Sequence, residues 1–597
     1  MKNRNKILVT APIKILGSQN KLLFLEDWFR LKNLNLKSKK KKNLFSNTKW
    51  SIKTRKSDYL YLIKQYENFL TILQLKLNEI HKTDFSKKYW EQIYGIWLIE
   101  FLTSIYEKYQ TVKKIKNYKR INTYYISRNN IYIPKNSRDA KRFYHSDAWM
   151  HFTYIELIKE FKKNIKIKEI KSNQIKLETF KDQEKENLSF KSLIIYLFSK
   201  ITSFFKSKNE IFIIRSYLPF LKEVLIQIYV NKNFKVILPY DRNYKFKNSL
   251  NHNLRNKKIK TSKSDDNFAK FIKKIILKNI PMAFLEEFHE IRIYNSRLPW
   301  KKKPGKIFTS SCAFYDDIFK IWLAEQKENG SKFILGQHGG QFMVKFCTYD
   351  YYAKKISHRI LSWGDKTGGK DKKFYAFANL KNFHKKIDIK KNNFISIFQE
   401  MPTKYNVRLW PGLLLCDYEK YINLQNKFLN KLNKEVYDKI KIRFGSNVRS
   451  TAKNNNLLEY EKKIWFHFHP DLNYETRNQS ISSTLENSYL TLITTVNATL
   501  LLEVINFNIP FVILTLDYKD ILSNNTFKDF LELERNNILF RDPKKLSYFL
   551  NTNDPIQIQR WWFSEKNQNI IKKFQKNYSK GSEKPIRELD KILRLKI

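Results

Sequence analysis

A chain of 597 residues exceeds what one hydrophobic core holds, so two or more domains are expected. With 42% hydrophobic and 15% aromatic residues it can fill those cores, which excludes wholesale disorder. The formal charge of +58 admits nucleic acid, an anionic membrane surface or a phosphorylated substrate as partner. It also has a plain compositional source, because Lys and Asn recur throughout the chain beside Ile, Tyr and Phe. Lysines are spread widely, with one dense run at Lys39–Lys42. Cys312, Cys347 and Cys416 lie far apart without CxxC spacing, which argues against a disulfide framework or a zinc site and fits a reducing cytosol. The apolar part of MKNRNKILVTAP is too short for a signal peptide, and no apolar run approaches the ~18 residues of a membrane helix.

In chain order, "KILVT" (6–10) reads as a strand ended by Pro12 and Gly17. Helical spacing holds from about 57 to 118, with Trp90, Ile93, Trp97, Phe101 and Ile105 at three- and four-residue steps, and again over 139–166. The polar stretch 167–190 reads as a solvated linker. "SLIIYLFSKITSFFKSK" (192–208), interrupted by Lys200, is either an interfacial helix or an amphipathic core helix. Strands are expected from 211 and over 234–239. Further short runs follow at 306–311, 332–336, 359–364, 394–398, 463–470, 489–495 and 510–516. Helical patterns fall between them at 316–329, 418–440, 498–508 and 543–550, the first capped by Asp316-Asp317. A charged break near 385–392 divides this region, and 555–580 is again helical around Trp561-Trp562. Alternation of this kind implies parallel sheets with ligand sites at the strands' C-terminal ends.

Three segments could carry chemistry. In "FILGQHGGQF" (333–342), Gln337 and His338 leave a strand end, and Gly339 and Gly340 permit close approach and expose N–H donors. His338 could take a proton from an attacking hydroxyl or donate to a phosphate oxygen, or it could be a turn histidine satisfied by a carbonyl. In "KIWFHFHP" (463–470), a strand would put His467 and His469 on one face before Pro470 ends it. With no third ligand nearby a metal is not expected, and His469-Pro470 suits a phosphate better. In "TTVNATLLLEV" (494–504), Asn497 is the natural N-cap of a helix whose first N–H groups, beside the Thr495 and Thr499 hydroxyls, form an anion site. Glu503 falls one turn after Thr499, where a carboxylate can take ribose hydroxyls; a simple capped helix is the alternative. No P-loop, G-x-G-x-x-G, H-E-x-x-H or G-x-S-x-G is present.

Together these segments resemble a family of transferases found in O-antigen and surface-carbohydrate gene clusters. The likeness is carried by "YWEQIYGIWLIEFL" (89–102), "SDAWMHFTYIELI" (146–158), "IPMAFLEEF" (280–288), "GQHGGQF" (336–342), "SWG" (362–364), "TTVNATLLLEVINFNIPFVIL" (494–514) and "RWWFSEKNQNIIKKFQKNY" (560–578). Ser18 replaces an aromatic after "LG", His358 replaces an acidic residue before the "WG", and 401–460 matches poorly. The resemblance implies a GT-B-like α/β fold of two Rossmann-like domains facing across a cleft, with helical insertions in the N-terminal half. Residues 1–390 would be the acceptor-side domain with an insertion over about 57–166, 391–555 the nucleotide-donor domain, and 556–597 a tail packing back on the first. It implies a glycosyltransferase without metal or cofactor, moving a sugar from a nucleotide donor, with CMP suggested by the "HP" pair, to a saccharide or lipid-linked acceptor. His338 would be the general base or an acceptor-side group, Gln337, Gly339 and Gly340 would line the cleft, and His469, Pro470, Thr495, Asn497, Thr499 and Glu503 would hold the donor. The expected location is cytoplasmic, at the inner face of an anionic membrane, with no nucleic acid. A polyol-phosphate transferase in the same cleft and a basic nucleic-acid-binding protein, its nearest platform at 116–133, are the alternatives.

Overall fold

A computed structural model describes residues 6–12, 22–32, 52–115, 121–126, 132–170, 190–202, 210–238, 244–300, 302–340, 347–367, 371, 373–380, 394–407, 409, 413–445, 457–475, 479–496, 499–516, 518–519, 522 and 524–596. Within these the chain builds three wholly parallel sheets. The first has the order β2-β1-β3-β4, with β1 at Lys6–Val9, β2 at Leu22–Phe24, β3 at Ile121–Ile126 and β4 at Lys166–Ile170. The second runs β5-β6-β7-β8-β9 through Ile211–Ile213, Lys306–Thr309, Lys332–Gly336, Arg359–Ser362 and Phe374–Ala376. The third contains β10 Phe394–Phe398, β11 Ile440–Arg443, β12 Asn473–Tyr474, β13 Ser488–Ile493, β14 Phe511–Leu514 and β15 Leu539–Phe540. Its order, β12-β11-β10-β13-β14-β15, is the doubly wound Rossmann order, with the direction of winding reversing between β10 and β13. The second and third sheets are two parallel α/β units, of which the third reverses its winding; the span 1–390, expected as one unit with a helical insertion, holds both the first and the second sheet.

The long helices of the N-terminal half are part of the core. Ile52–His81 and Lys87–Lys113 form a pair, and the Ser86 hydroxyl caps the second by accepting the Tyr89 N–H at 3.1 Å. Lys87–Lys113 is buried around most of its circumference, as a helix enclosed by others must be. It packs on the helices Asp147–Phe161, Asp317–Glu328 and Thr348–Ile356. Gly95 makes this possible: a Cβ there would lie 2.6 Å from the Tyr66 hydroxyl and 2.9 Å from the Tyr352 ring. The helix Asp147–Phe161, between β3 and β4, also touches the third unit, where Tyr405 Oη donates to Asp147 at 2.6 Å and Lys404 pairs with the same carboxylate at 2.6 Å.

The tail crosses back to the second unit. After the helix Glu565–Tyr578, Lys580 N–H donates to Trp363 O at 2.6 Å, and Asp365 and Lys366 N–H donate to Lys576 O and Asn577 O. The helix Pro585–Arg594 then buries Leu589 and Leu593 against Ile211 and Phe308.

Several expectations are corrected. Residues 463–470 are not a strand: Leu457–Phe468 is a helix, whose pattern of Leu458, Glu461, Ile464 and Trp465 turned inward fits a 3.6-residue period. Residues 234–238 lie alongside two helices without joining a sheet. The expected linker from 167 begins with β4, and 121–126, within the basic–aromatic segment 116–133, is an inner strand of the first sheet. Asp316 does cap the helix Asp317–Glu328, accepting the Phe319 N–H at 3.0 Å, whereas Asp317 turns to the Ser137 N–H and to Lys320. Among the described residues no helix is long and apolar enough to cross a membrane.

Candidate active site

The site begins with β7. Its last residue, Gly336, faces Ser310 so closely that a Cβ would sit 2.2 Å from the Ser310 hydroxyl. Beyond it both ends of the Gln337 amide are engaged: its oxygen accepts Trp363 N–H at 2.7 Å and its nitrogen donates to Gly339 O at 2.7 Å. These two bonds, with Gln337 N–H to Leu361 O, tie the turn to the end of β8 and set the position of the half-buried His338. The imidazole lies among Phe314, Tyr217 and Tyr349, with ring centroids 4.8, 6.3 and 6.2 Å away. Tyr217 comes from the exit of β5, where Arg215 and Tyr217 both adopt left-handed backbone (φ 49° and 72°). Glu223 holds that exit, accepting Arg215 N–H, Ser216 N–H and the Ser216 hydroxyl at 2.9, 2.7 and 2.6 Å.

The turn meets the third unit directly. Gly340 N–H donates to Oγ1 of Thr499 at 3.3 Å, and Thr499 is the first residue of the helix Thr499–Asn506 that follows β13. The strand ends of the two units therefore meet here, and the pairing of "QHGG" with "TTVNAT" is a contact. Glu503 lies on this helix and is 8% exposed. Asn497, the expected cap, lies outside the described residues.

Thr495 brings in a residue that motif reading missed. β10 and β13 flank the reversal of winding, where doubly wound sheets bind ligands. Thr495 leaves β13, and its hydroxyl hydrogen-bonds the carboxyl of Glu400, which leaves β10. Leu413 N–H adds a bond to Glu400 Oε1 at 3.3 Å. Glu400 keeps some surface exposed, but desolvation of its carboxyl raises it above the usual carboxylate range, outweighing the two hydrogen bonds that lower it. Tyr421 fixes the same edge: its hydroxyl donates to Gln399 Oε1 (2.9 Å) or Thr494 Oγ1 (2.7 Å) and accepts Glu400 N–H at 2.9 Å. Behind it, burial pushes the Glu461 carboxyl up to about 8, beside Tyr418. The signal for Glu400 is a carboxylate two residues after the strand "FISIF".

His469 and Pro470 do not join this cleft. They follow the helix Leu457–Phe468 and so lie where the chain enters the edge strand β12, at the N-terminal ends of the parallel strands rather than the C-terminal ends. His469 is 4% exposed; its Nε2–H donates to Asn426 Oδ1 at 3.0 Å and its Nδ1 accepts from Tyr437 Oη at 3.2 Å. With burial also holding its pKa below the ordinary histidine value, it is a neutral packing residue.

The overall arrangement can be compared with solved structures. TarM is 11% identical over 49% of this chain and 55% of its own, so the match spans about half of TarM, with a TM-score of 0.31. The wall teichoic acid polymerase TagF is 10% identical over 70% of this chain and 98% of its own, TM-score 0.29. MurG of Acinetobacter baumannii is 9% identical over 51% and 76%, TM-score 0.28. No curated protein matches the sequence. A family model does, over residues 6–593, which takes in all three sheets and both sides of the cleft: the chain belongs to the LIC12162 family of transferases.

Proposed function

We propose that this transferase is a glycosyltransferase of bacterial surface-polysaccharide synthesis, moving a sugar from a nucleotide donor to a saccharide or lipid-linked acceptor. The observation that carries the reading is the Gly340–Thr499 hydrogen bond, which sets a histidine from one α/β unit against a helix start in the other. In the proposed step the acceptor hydroxyl attacks the anomeric carbon, and His338 takes its proton. The bond to the nucleotide phosphate breaks, and the charge left on the phosphate is met by the Thr495 and Thr499 hydroxyls and the start of the helix Thr499–Asn506, with no metal required. Glu503 is assigned to the donor ribose and Gln337 to holding the turn. A CMP-linked donor rested on His469-Pro470, which lies at the opposite strand ends, so the nucleotide is left to experiment. The lipid-linked form of the acceptor would place the enzyme at an anionic membrane surface.

Thermal-shift titration with CMP-, CDP-, UDP- and GDP-sugars tests the reading. One nucleotide class should raise the melting midpoint, and Thr499→Val should weaken it by roughly tenfold, as for a lost hydrogen bond to a charged group of ~1.5 kcal/mol. Stabilisation by none of the four, or a phosphodiester rather than glycosidic product, would sink it.

A further inference from the structure

Of the twenty large apolar side chains that stand exposed among the described residues, nine fall between 194 and 234. They are ordered. On the helix Phe190–Thr202, Ile194, Leu197, Phe198 and Ile201 recur at the three- and four-residue steps of one helix face. On the helix Phe220–Asn231, Leu221, Leu225 and Tyr229 form a second stripe, with Leu221 71% exposed, and Phe234 follows it.

The two helices are fixed to the same piece of chain by their other faces. Leu238 N–H donates to Ser199 Oγ at 3.1 Å, Thr202 Oγ1 donates to Val236 O at 2.7 Å, and Gln227 exchanges both its amide bonds with Ile237. The polar groups are thus spent inward and the apolar stripes face out.

We propose that this face docks on an anionic phospholipid membrane. Charge selects that occupant. The described residues from 190 to 238 contain two carboxylates, and both are turned inward: Glu210 pairs with Lys235 at 3.1 Å, and Glu223 binds the exit of β5. What remains outward is apolar or cationic, including Lys200 and Lys232. Beside Tyr229 and Phe234, Lys232, Arg594 and Asp590 line one concavity; Asp590 pairs with Arg594 at 2.7 Å, which leaves Lys232 as the charge offered to a lipid phosphate. A second copy of a chain with formal charge +58 would bring like charge to the same face. Position supports the assignment too. The helix that carries the second stripe starts at Phe220, three residues after the Tyr217 that flanks His338, so a lipid-borne acceptor would meet the membrane-docked enzyme close to His338.

The proposal deepens the glycosyltransferase reading on its acceptor side and rests on it for its purpose. The test is flotation of the full chain with vesicles of phosphatidylcholine alone or with about one third phosphatidylglycerol. The full chain should float with the anionic vesicles and lose the association in high salt. Leu221→Glu/Leu225→Glu and, separately, Leu197→Glu/Ile201→Glu should each weaken binding by at least ~10-fold with an unchanged melting midpoint. Equal binding to neutral vesicles, or binding that survives both double variants, overturns the docking face. So does a dimer that both double variants convert to monomer while vesicle binding persists. Nucleotide stabilisation in the titration above is independent of vesicles. Its loss would sink the donor reading alone, and vesicle failure with it intact would sink the docking face alone.

Discussion

Gly364→Ala tests how the two cleft-forming units are held together. Gly364 follows β8, and a Cβ there would lie 2.0 Å from Asn577 O, 2.2 Å from Asn577 C and 2.4 Å from Tyr578 N. All three are backbone atoms, so no side chain can swing aside. Either the tail stays and is overpacked, at a cost of ~1–3 kcal/mol, or it withdraws. Withdrawal forfeits four backbone hydrogen bonds, Asp365 to Lys576, Lys366 to Asn577, Lys580 to Trp363 and Asn379 to Lys580. At a net ~1 kcal/mol each that is about 4 kcal/mol. The cheaper course sets the expectation at ~1–3 kcal/mol, or roughly 5- to 150-fold in local opening. Hydrogen exchange at the Asp365, Lys366, Asn379 and Lys580 amides reads this directly, and it suits a chain of several units, for which one global unfolding energy is ill defined. Gly330→Ala is the control: its φ of +94° makes alanine strained, but nothing stands within 4 Å of the new Cβ, so the tail amides should be unmoved. If Gly364→Ala leaves those amides within threefold of the parent, the reasoning fails.

His338→Ala should reduce turnover by ~10²–10⁴ while leaving nucleotide binding within threefold, since a base acts on the acceptor proton; steady-state kinetics beside a nucleotide titration separates the two, and equal losses in both would refute the role. Glu400→Gln, which keeps an acceptor oxygen for the Thr495 hydroxyl, should disturb nucleotide binding less than Glu400→Ala, which removes the partner of Thr495 altogether; calorimetric titration of both variants decides, and equal losses would refute the pairing. Glu461 gives a pH signature. Its carboxyl titrates near 8 when folded and near 4.5 when unfolded, so the folded state holds the extra proton between those values and stability falls as pH rises through that window. Glu461→Gln should therefore match the parent near pH 4.5 and exceed it by a growing margin, up to a few kcal/mol, towards pH 8; parallel pH-stability curves would contradict the assignment.

Local pattern made much of this chain legible. The apolar runs at 332–336, 394–398, 489–495 and 510–516 are inner strands because fully buried parallel strands need continuous apolar sequence. Short strands escaped: "IKIR" alternates like a half-buried strand but is only four residues long, and "NY" of β12 offers no period at all. "KIWFHFHP" was misjudged because its few residues fit an alternating strand as well as the end of a helix, and only the inward side of Glu461, Ile464 and Trp465 separates the two. His338 and Thr495 could be found as residues leaving strands, since strand ends are where parallel sheets present side chains, and Thr499 as the start of the helix that follows. Their meeting could not, because Gly340 and Thr499 are 159 positions apart and hydrophobic period carries no information about which strand ends share a cleft. The order of strands, the placing of Glu400 beside Thr495 and the placing of His469 at the opposite strand ends follow from how buried surfaces pack in three dimensions, and only the tertiary structure decides them.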